Sequence, residues 1–337
     1  MKKIAILTLV LLLVFALAAC NDMGGTQSES TAPESTAPAS TSSENTTEST
    51  TPESTTPEST TPENPTPEIT LQEVYDAGKN LAALLGSHES VYVQVISNGT
   101  VIREEYLDQQ YCYSFYSSEF MDIGFDYASL TTDHSQYDCF DGSYSAIITL
   151  TPSGTVDLET VFAATATSSF ISSEMLDDDA PSVIEKDGLI TVTCTADAEE
   201  IVTMGEDVVS CVETYTLDAT TREMTAVKTV YTYKDGSVEE GVVTITRDVN
   251  TPEGMNAFLA YEQETENLRQ ITIVSNPGTE NEITETIQVP NGLTVVLSPD
   301  WYVEKFFTMY SDAACTQPLD VLPDTDTDMT VYILWDE

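Results

Sequence analysis

Positive charge is what this 337-residue chain lacks most: 11 lysines and arginines stand against 57 aspartates and glutamates, a formal charge of −46 with two histidines. Neutralising phosphates takes clustered Lys and Arg, so nucleic acid is excluded as a partner. Recognisable catalytic motifs are missing too: there is no Gly-x-Ser-x-Gly elbow, no His-Glu-x-x-His pair and no phosphate-cradling glycine loop. Asp133-His134-Ser135 holds all three triad residue types, but neighbours on one loop cannot form the relay. No carboxylate pair stands out among so many acids as glycosidase machinery. Asp324, Asp326 and Asp328 have calcium-loop spacing without its central glycine or its twelfth-position Glu, where Trp335 falls. They read as a solvated turn, as do Asp177, Asp178 and Asp179. No enzyme activity, metal site or cofactor is expected. Long apolar runs are absent apart from Ile4 to Ala19, and that run is shorter than the roughly 20 residues of a membrane-spanning helix.

That run is itself informative. Lys2 and Lys3 precede it, and Leu17-Ala18-Ala19-Cys20 closes it with small residues before a cysteine, the layout of a signal peptide. The motif resembles the lipobox of bacterial lipoproteins. The resemblance implies removal of residues 1–19 and a diacylglyceryl group on Cys20, anchoring the protein at the outer face of the bacterial cell membrane. Each buried methylene contributes about 0.8 kcal/mol, so several acyl chains suffice for a stable anchor. Cleavage leaves 9 basic against 57 acidic groups, a charge of −48, which an anionic bilayer surface repels.

Residues 20–68 carry no Lys or Arg and almost no large apolar side chain, and the pentamer Ser-Thr-Thr-Pro-Glu recurs through 49–63. Such a segment cannot bury enough surface to fold. It reads as a disordered stalk reaching roughly 150 Å if extended as polyproline II and about 40 Å as a random coil. The longer reach suits a Gram-positive cell wall.

Beyond the stalk, 41% hydrophobic and 8% aromatic residues suffice for a core, in two domains. Thr70 and Glu73 form a capping box for a helix with apolar residues at helical spacing to Leu85, and Gly86 suits its end. A strand meander follows: Val91, Val93 and Val95 alternate with polar neighbours, Asn98-Gly99 turns the chain, and Tyr111, Tyr113 and Phe115 share a strand face. A helical interval is expected over 157–176. Strands over 188–195, 208–217, 224–234 and 238–247 make a second meander, with a short helix near 198–204.

Eight tyrosines and four phenylalanines lie between Tyr92 and Tyr144, twelve of the chain's 28 aromatics. Two readings are open. The aromatics line a cavity for a lipid, glycan or other amphiphile, with Tyr111, Tyr113 and Phe115 as its binding residues. Alternatively tyrosine is simply a good strand residue with one wet end.

A capped helix, a meander, a helical interval and a second meander containing Tyr215-Thr216-Leu217-Asp218 and Met224-Thr225-Ala226-Val227 are similar to the LolA- and LppX-like lipoprotein fold. That resemblance covers 69–250 and implies an open half-barrel wrapped around helices, often enclosing an apolar lipid groove. Residues 251–267 read as a connecting helix. Over 268–337, Asp312-Ala313-Ala314-Cys315-Thr316-Gln317-Pro318-Leu319 followed by Asp328 to Trp335 resembles the end of a Listeria–Bacteroides (internalin B) repeat. This implies a small β-grasp-like module, although Met309 replaces the usual tryptophan and the first turn is reduced to Asn276-Pro277-Gly278.

Of the six cysteines, five remain if Cys20 is lipidated. Cys112 could bridge Cys139 and Cys194 could bridge Cys211, since disulfides are permitted outside the membrane; the alternative is separate buried thiols. The expected fold class is α+β, an antiparallel open half-barrel with packed helices plus a small β-grasp-like domain. The expected function is a non-catalytic surface lipoprotein that binds a ligand or partner outside the membrane. A carrier of hydrophobic ligands and an adhesion or scaffold protein that contacts a surface protein or glycan are the alternatives.

Overall fold

The computed structural model describes residues 69–121, 124–167, 181–197, 208–300, 305–323 and 326–336. The signal segment, Cys20, the stalk, the second half of the interval 157–176, the helix expected near 198–204 and Asp177, Asp178, Asp179 and Asp324 lie outside these residues.

The chain enters through the expected capping box. The Thr70 hydroxyl accepts from the Glu73 N–H at 3.2 Å, and Glu73 accepts from the Thr70 N–H at 2.7 Å. The helix then breaks, because Asn80 is extended and its side chain caps a second turn by accepting from the Ala83 N–H at 2.8 Å. Two short helices result, α1 (Leu71–Gly78) and α2 (Leu81–Leu85), in place of one continuous helix to Leu85.

The first meander comprises β1 (Ser90–Ser97), β2 (Thr100–Asp108), β3 (Cys112–Tyr116), a single turn α3 (Ser118–Met121), then β4 (Tyr127–Thr131), β5 (Gln136–Phe140), β6 (Ser143–Thr151) and a short β7 (Gly154–Thr155). Asn98 and Asp141 adopt positive φ before their glycines, as the tight hairpins require. Helix α4 (Leu158–Ala166) leads to a second meander of β8 (Ser182–Lys186), β9 (Leu189–Asp197), β10 (Val208–Asp218), β11 (Met224–Tyr233) and β12 (Val238–Arg247). A 3-10 turn and α5 (Asn256–Glu262) connect to β13 (Leu268–Ser275), β14 (Ile283–Pro290), β15 (Thr294–Pro299), β16 (Phe307–Tyr310), β17 (Pro318–Leu319) and β18 (Met329–Trp335).

These strands correct the expected fold class. The described chain is mostly antiparallel sheet, with one sheet of 13 strands in the order β15-β6-β5-β4-β3-β2-β1-β12-β11-β10-β9-β8, and β7 beside β6. It is not an α+β assembly of sheet and packed helices. The helices are too short to form a layer of that kind, because β-branched and aromatic residues dominate the chain between them. The two meanders join through antiparallel β1 and β12, while the sheet ends at β15 and β8 without closing. The C-terminal segment also departs from a self-contained module. Its β15 pairs parallel to β6 in the large sheet, while β14-β13-β18-β16-β17 form a second sheet.

Each face of the large sheet carries its own core. On one side Val91, Val93, Leu107, Cys112, Ile190, Val192, Tyr215, Leu217 and Ile245 pack with Val74, Leu81 and Leu84 of the two helices and Ala166 of α4. On the other side Tyr106, Tyr113, Leu130, Tyr137, Cys139, Ala146 and Ile148 pack with Met255 and Phe258 and with Ile271, Ile273, Val331 and Ile333 of the second sheet. Alternation along β1 to β6 thus divides the first meander's side chains between two faces, one meeting the short helices and the other the C-terminal segment.

Candidate functional site

On the helix-bearing face, strand register sets one row of side chains across the joined meanders. Val192, Tyr215, Val227, Val243, Val95, Arg103, Tyr116, Tyr127 and Phe140 stand directly opposite one another, strand by strand. The row changes character between Val95 and Arg103. From β9 to β1 it is aliphatic apart from Tyr215; from β2 to β5 it is a cation followed by aromatic rings.

The polar half is tightly built. Arg103 donates through Nε to Glu105 Oε1 at 2.8 Å, with Nη2 on the same oxygen, and its guanidinium lies 5.3 Å from the centre of the Tyr116 ring. Tyr116 stacks on Tyr127 at 6.1 Å, and Tyr127 packs on Phe140 at 4.8 Å. Phe120 of α3 lies 5.6 Å from Tyr116 in a tilted arrangement. Two residues along each strand, on the same face, Glu105, Ser114, Ser129, Asp138 and Ser145 form a parallel polar row, and Glu105, Ser114 and Asp138 are all buried. The Tyr127 hydroxyl donates to Asp138 Oδ1 at 2.9 Å.

The electrostatics follow from burial. Loss of water pushes the Asp138 carboxyl up to about 7, against the opposing pull of the Tyr127 hydrogen bond. Burial also disfavours the Arg103 charge, but the Glu105 carboxylate outweighs it and leaves the guanidinium more firmly protonated than usual. Tyr116 is pushed up to about 12 by burial, with Arg103 working in the opposite direction. At neutral pH the polar half therefore holds one internally compensated ion pair, neutral phenols and an acid whose charged form burial disfavours. The row thus offers donors and acceptors in one half and aliphatic side chains in the other.

The residues singled out from sequence lie elsewhere. Tyr113 is 2% exposed, and its ring meets Phe258 edge-on at 6.2 Å. Tyr111 and Phe115 are half-buried against the same core. Tyr111, Tyr113 and Phe115 thus pack under the C-terminal segment, and the structure brings none of them to the Arg103 row. Sequence reasoning missed that row because it followed Tyr113 and Phe115, whose strand alternation sends Cys112, Ser114 and Tyr116 to the opposite face. The available signal was Arg103, a rare basic residue inside a strand pattern.

The five described cysteines form no disulfide with one another. Cys112 and Cys139 belong to cores on opposite faces of the sheet, so no bridge can join them. Cys194 stands opposite Glu213 and Cys211 opposite Ala196, which makes the two cysteines diagonal neighbours. Diagonal positions lie about 7–8 Å apart, whereas a disulfide needs Cβ atoms about 3.5–4.5 Å apart. His134 of the Asp133-His134-Ser135 string faces Asp133 through Nδ1 and Glu262 through Nε2 at 2.6 Å. Among the described residues no group of three or more His, Cys, Asp or Glu is placed to hold a metal ion. Two open depressions, of about 320 and 500 Å³, lie elsewhere, one beside Phe307, Met309 and Leu319 and one beside Pro152, Asn276 and Glu282.

No family model and no curated protein matches the chain. Among solved structures, the crystal structure of LprF from Mycobacterium bovis is 15% identical, covers 54% of this chain and 95% of its own, and has a TM-score of 0.25. A LolA superfamily protein from Nitrosomonas europaea is 9% identical, covers 56% and 97%, and has a TM-score of 0.15. At such TM-scores neither likeness carries an argument about fold or ligand.

Proposed function

We propose that this chain is a non-catalytic, lipid-anchored protein of the outer face of the cell membrane that takes up an amphiphile on the helix-bearing face of its sheet. The observation that carries this reading is the row from Val192 to Phe140, aliphatic in one half and built from Arg103, Tyr116 and Tyr127 in the other. A hydrocarbon chain lies along Val243 and Val95, which are half-buried, next to Val227, Tyr215 and Val192, which the helices already cover. A polar group meets the Arg103–Glu105 pair and Asp138. Cys20 carries the diacylglyceryl anchor and residues 21–68 hold the acidic body away from the bilayer, consistent with their composition.

The test is native mass spectrometry of a secreted Cys20→Ser variant recovered without detergent from its own host. A lipid-sized mass that co-purifies, is lost on denaturation and is depleted at least fivefold in an Arg103→Met variant supports the reading. A bare protein mass for the secreted variant removes it. A scaffold role is the second reading, favoured by the dense packing of Tyr111, Tyr113 and Phe115 beneath the C-terminal segment. That role expects the bare mass together with retention of a surface protein or glycan.

A further inference from the structure

The chain has two histidines, and each lies between two carboxylates at a junction between layers. His88, between α2 and β1, meets Asp248 through Nδ1 at 2.8 Å and Glu223 through Nε2 at 2.9 Å. Asp248 follows β12 and Glu223 precedes β11, so this contact ties the end of the α1–α2 pair to the sheet. Arg247 adds to the same tie by donating through Nε to the Leu84 carbonyl at 2.9 Å. His134, in the turn between β4 and β5, meets Asp133 through Nδ1 and Glu262 through Nε2 at 2.6 Å. Glu262 is the last residue of α5, its side chain is 6% exposed, and the helix belongs to the segment covering the other face of the sheet.

The geometry dictates the protonation state. A neutral imidazole carries one N–H, and its second nitrogen is an acceptor that a carboxylate repels. Only the doubly protonated ring can donate to a carboxylate on each side, and the His88 ring is placed that way; the His134 ring is hydrogen-bonded to Asp133 and meets the buried Glu262 carboxylate as an ion-pair contact without hydrogen-bond geometry. We infer that the two histidines are proton-operated staples, His88 holding α1 and α2 and His134 holding α5 and the chain beyond it, so that deprotonation loosens both layers from the central sheet. The inference is independent of whether the row takes a ligand.

The surrounding charges set the sense of the response. Hydrogen bonding to Asp248 and then Glu223 raises the His88 pKa, and Asp133, with a further contribution from Glu262, raises that of His134. Around His88 the other charged group is Arg247, which faces the same two acids and keeps its charge when the imidazole loses its own. Tyr111 and Tyr137 also face Glu262, and both are held neutral by burial together with the Glu262 charge, to which Asp108 adds at Tyr111. A folded-state pKa raised above the ordinary 6.5 contributes stability that is complete below 6.5 and is lost as the pH rises through the folded value.

The test is amide hydrogen exchange on the full-length lipoprotein at pH 6 and pH 8.5, corrected for the intrinsic pH dependence of exchange. Opening at 81–85 and 256–262 is expected to be at least threefold faster at pH 8.5, with the β13–β18 strand pair changing less. In His88→Gln the segment 81–85 should exchange fast at both pH values while 256–262 still responds, and His134→Gln should show the reverse. Equal protection at both pH values in the wild type, or a response that survives in the matching variant, overturns the inference. If a variant fails to fold, the imidazole proton resonances of the wild type decide. Two titrations above pH 6.5 uphold the staples, and a titration at or below 6.5 for either ring overturns them.

Discussion

Gly254 sits in the 3-10 turn that begins the covering segment, and it offers a sharp test of how the aromatic strand is sealed. A Cβ at this position would lie 2.4 Å from the Tyr113 hydroxyl oxygen and 3.3 Å from its Cζ. Ordinary contact is about 3.5 Å or more, so the ring or the turn must move by about 1 Å. Tyr113 has little freedom to do so. It is 2% exposed, stands between Tyr106 and Leu130 in the sheet, and has Phe258 against its ring. Overpacking of this kind costs about 1–3 kcal/mol, a substantial share of the roughly 5–15 kcal/mol that stabilises a typical domain. Gly254→Ala should therefore lower the urea midpoint followed by far-ultraviolet circular dichroism, with an unchanged slope. Tyr113→Phe removes the clashing oxygen, and the double variant should recover at least half of the loss. A coupling energy of about 1 kcal/mol or more is expected from the four-protein cycle. Additive effects, or no cost from Gly254→Ala, would refute the claim that the covering turn rests on the Tyr113 hydroxyl.

Two further outcomes follow from the same geometry. Asp138 is buried with its carboxyl pushed up to about 7, so the native state holds its proton more firmly than the unfolded chain does, and the stability this contributes is lost as the pH rises from about 4 through 7. Asp138→Asn should remove that part of the decline, so that wild type minus variant stability falls between pH 5 and pH 8; parallel profiles would count against the burial argument. In the Cys20→Ser variant without reductant, a thiol reagent should label five cysteines after denaturation and only Cys315 quickly in the native state, since Cys112, Cys139, Cys194 and Cys211 are buried. Fewer than five labels in the denatured chain would mean that a disulfide forms after all.

Local chemistry made much of the strand plan legible. The Thr70–Glu73 capping box, the Asn98-Gly99 hairpin and the alternation of Val91, Val93 and Val95 each depend on neighbours within a few residues, and all appear as read. The break at Asn80 was equally local but was hidden by an apolar spacing that continued through it, because Asn favours caps whatever the helical pattern on either side. Fold class was less legible, since short helices and strands contribute the same sequence signal whether they form separate layers or edge one large sheet.

The sequence by itself determined the acidic charge, the composition of residues 20–68 and which side chains alternate along each strand. Only the tertiary structure decided what each face of a strand would meet. Tyr113 and Tyr116 are three residues apart on the same strand, yet one packs against Phe258 and the other against Tyr127 and Phe120. The parallel pairing of β15 with β6 joins residues about 150 positions apart along the sequence. The Arg103 row needs the register of several strands at once. Periodicity reports that a strand has two faces; which face becomes a packed core and which a polar site depends on the partners that long-range folding brings to it.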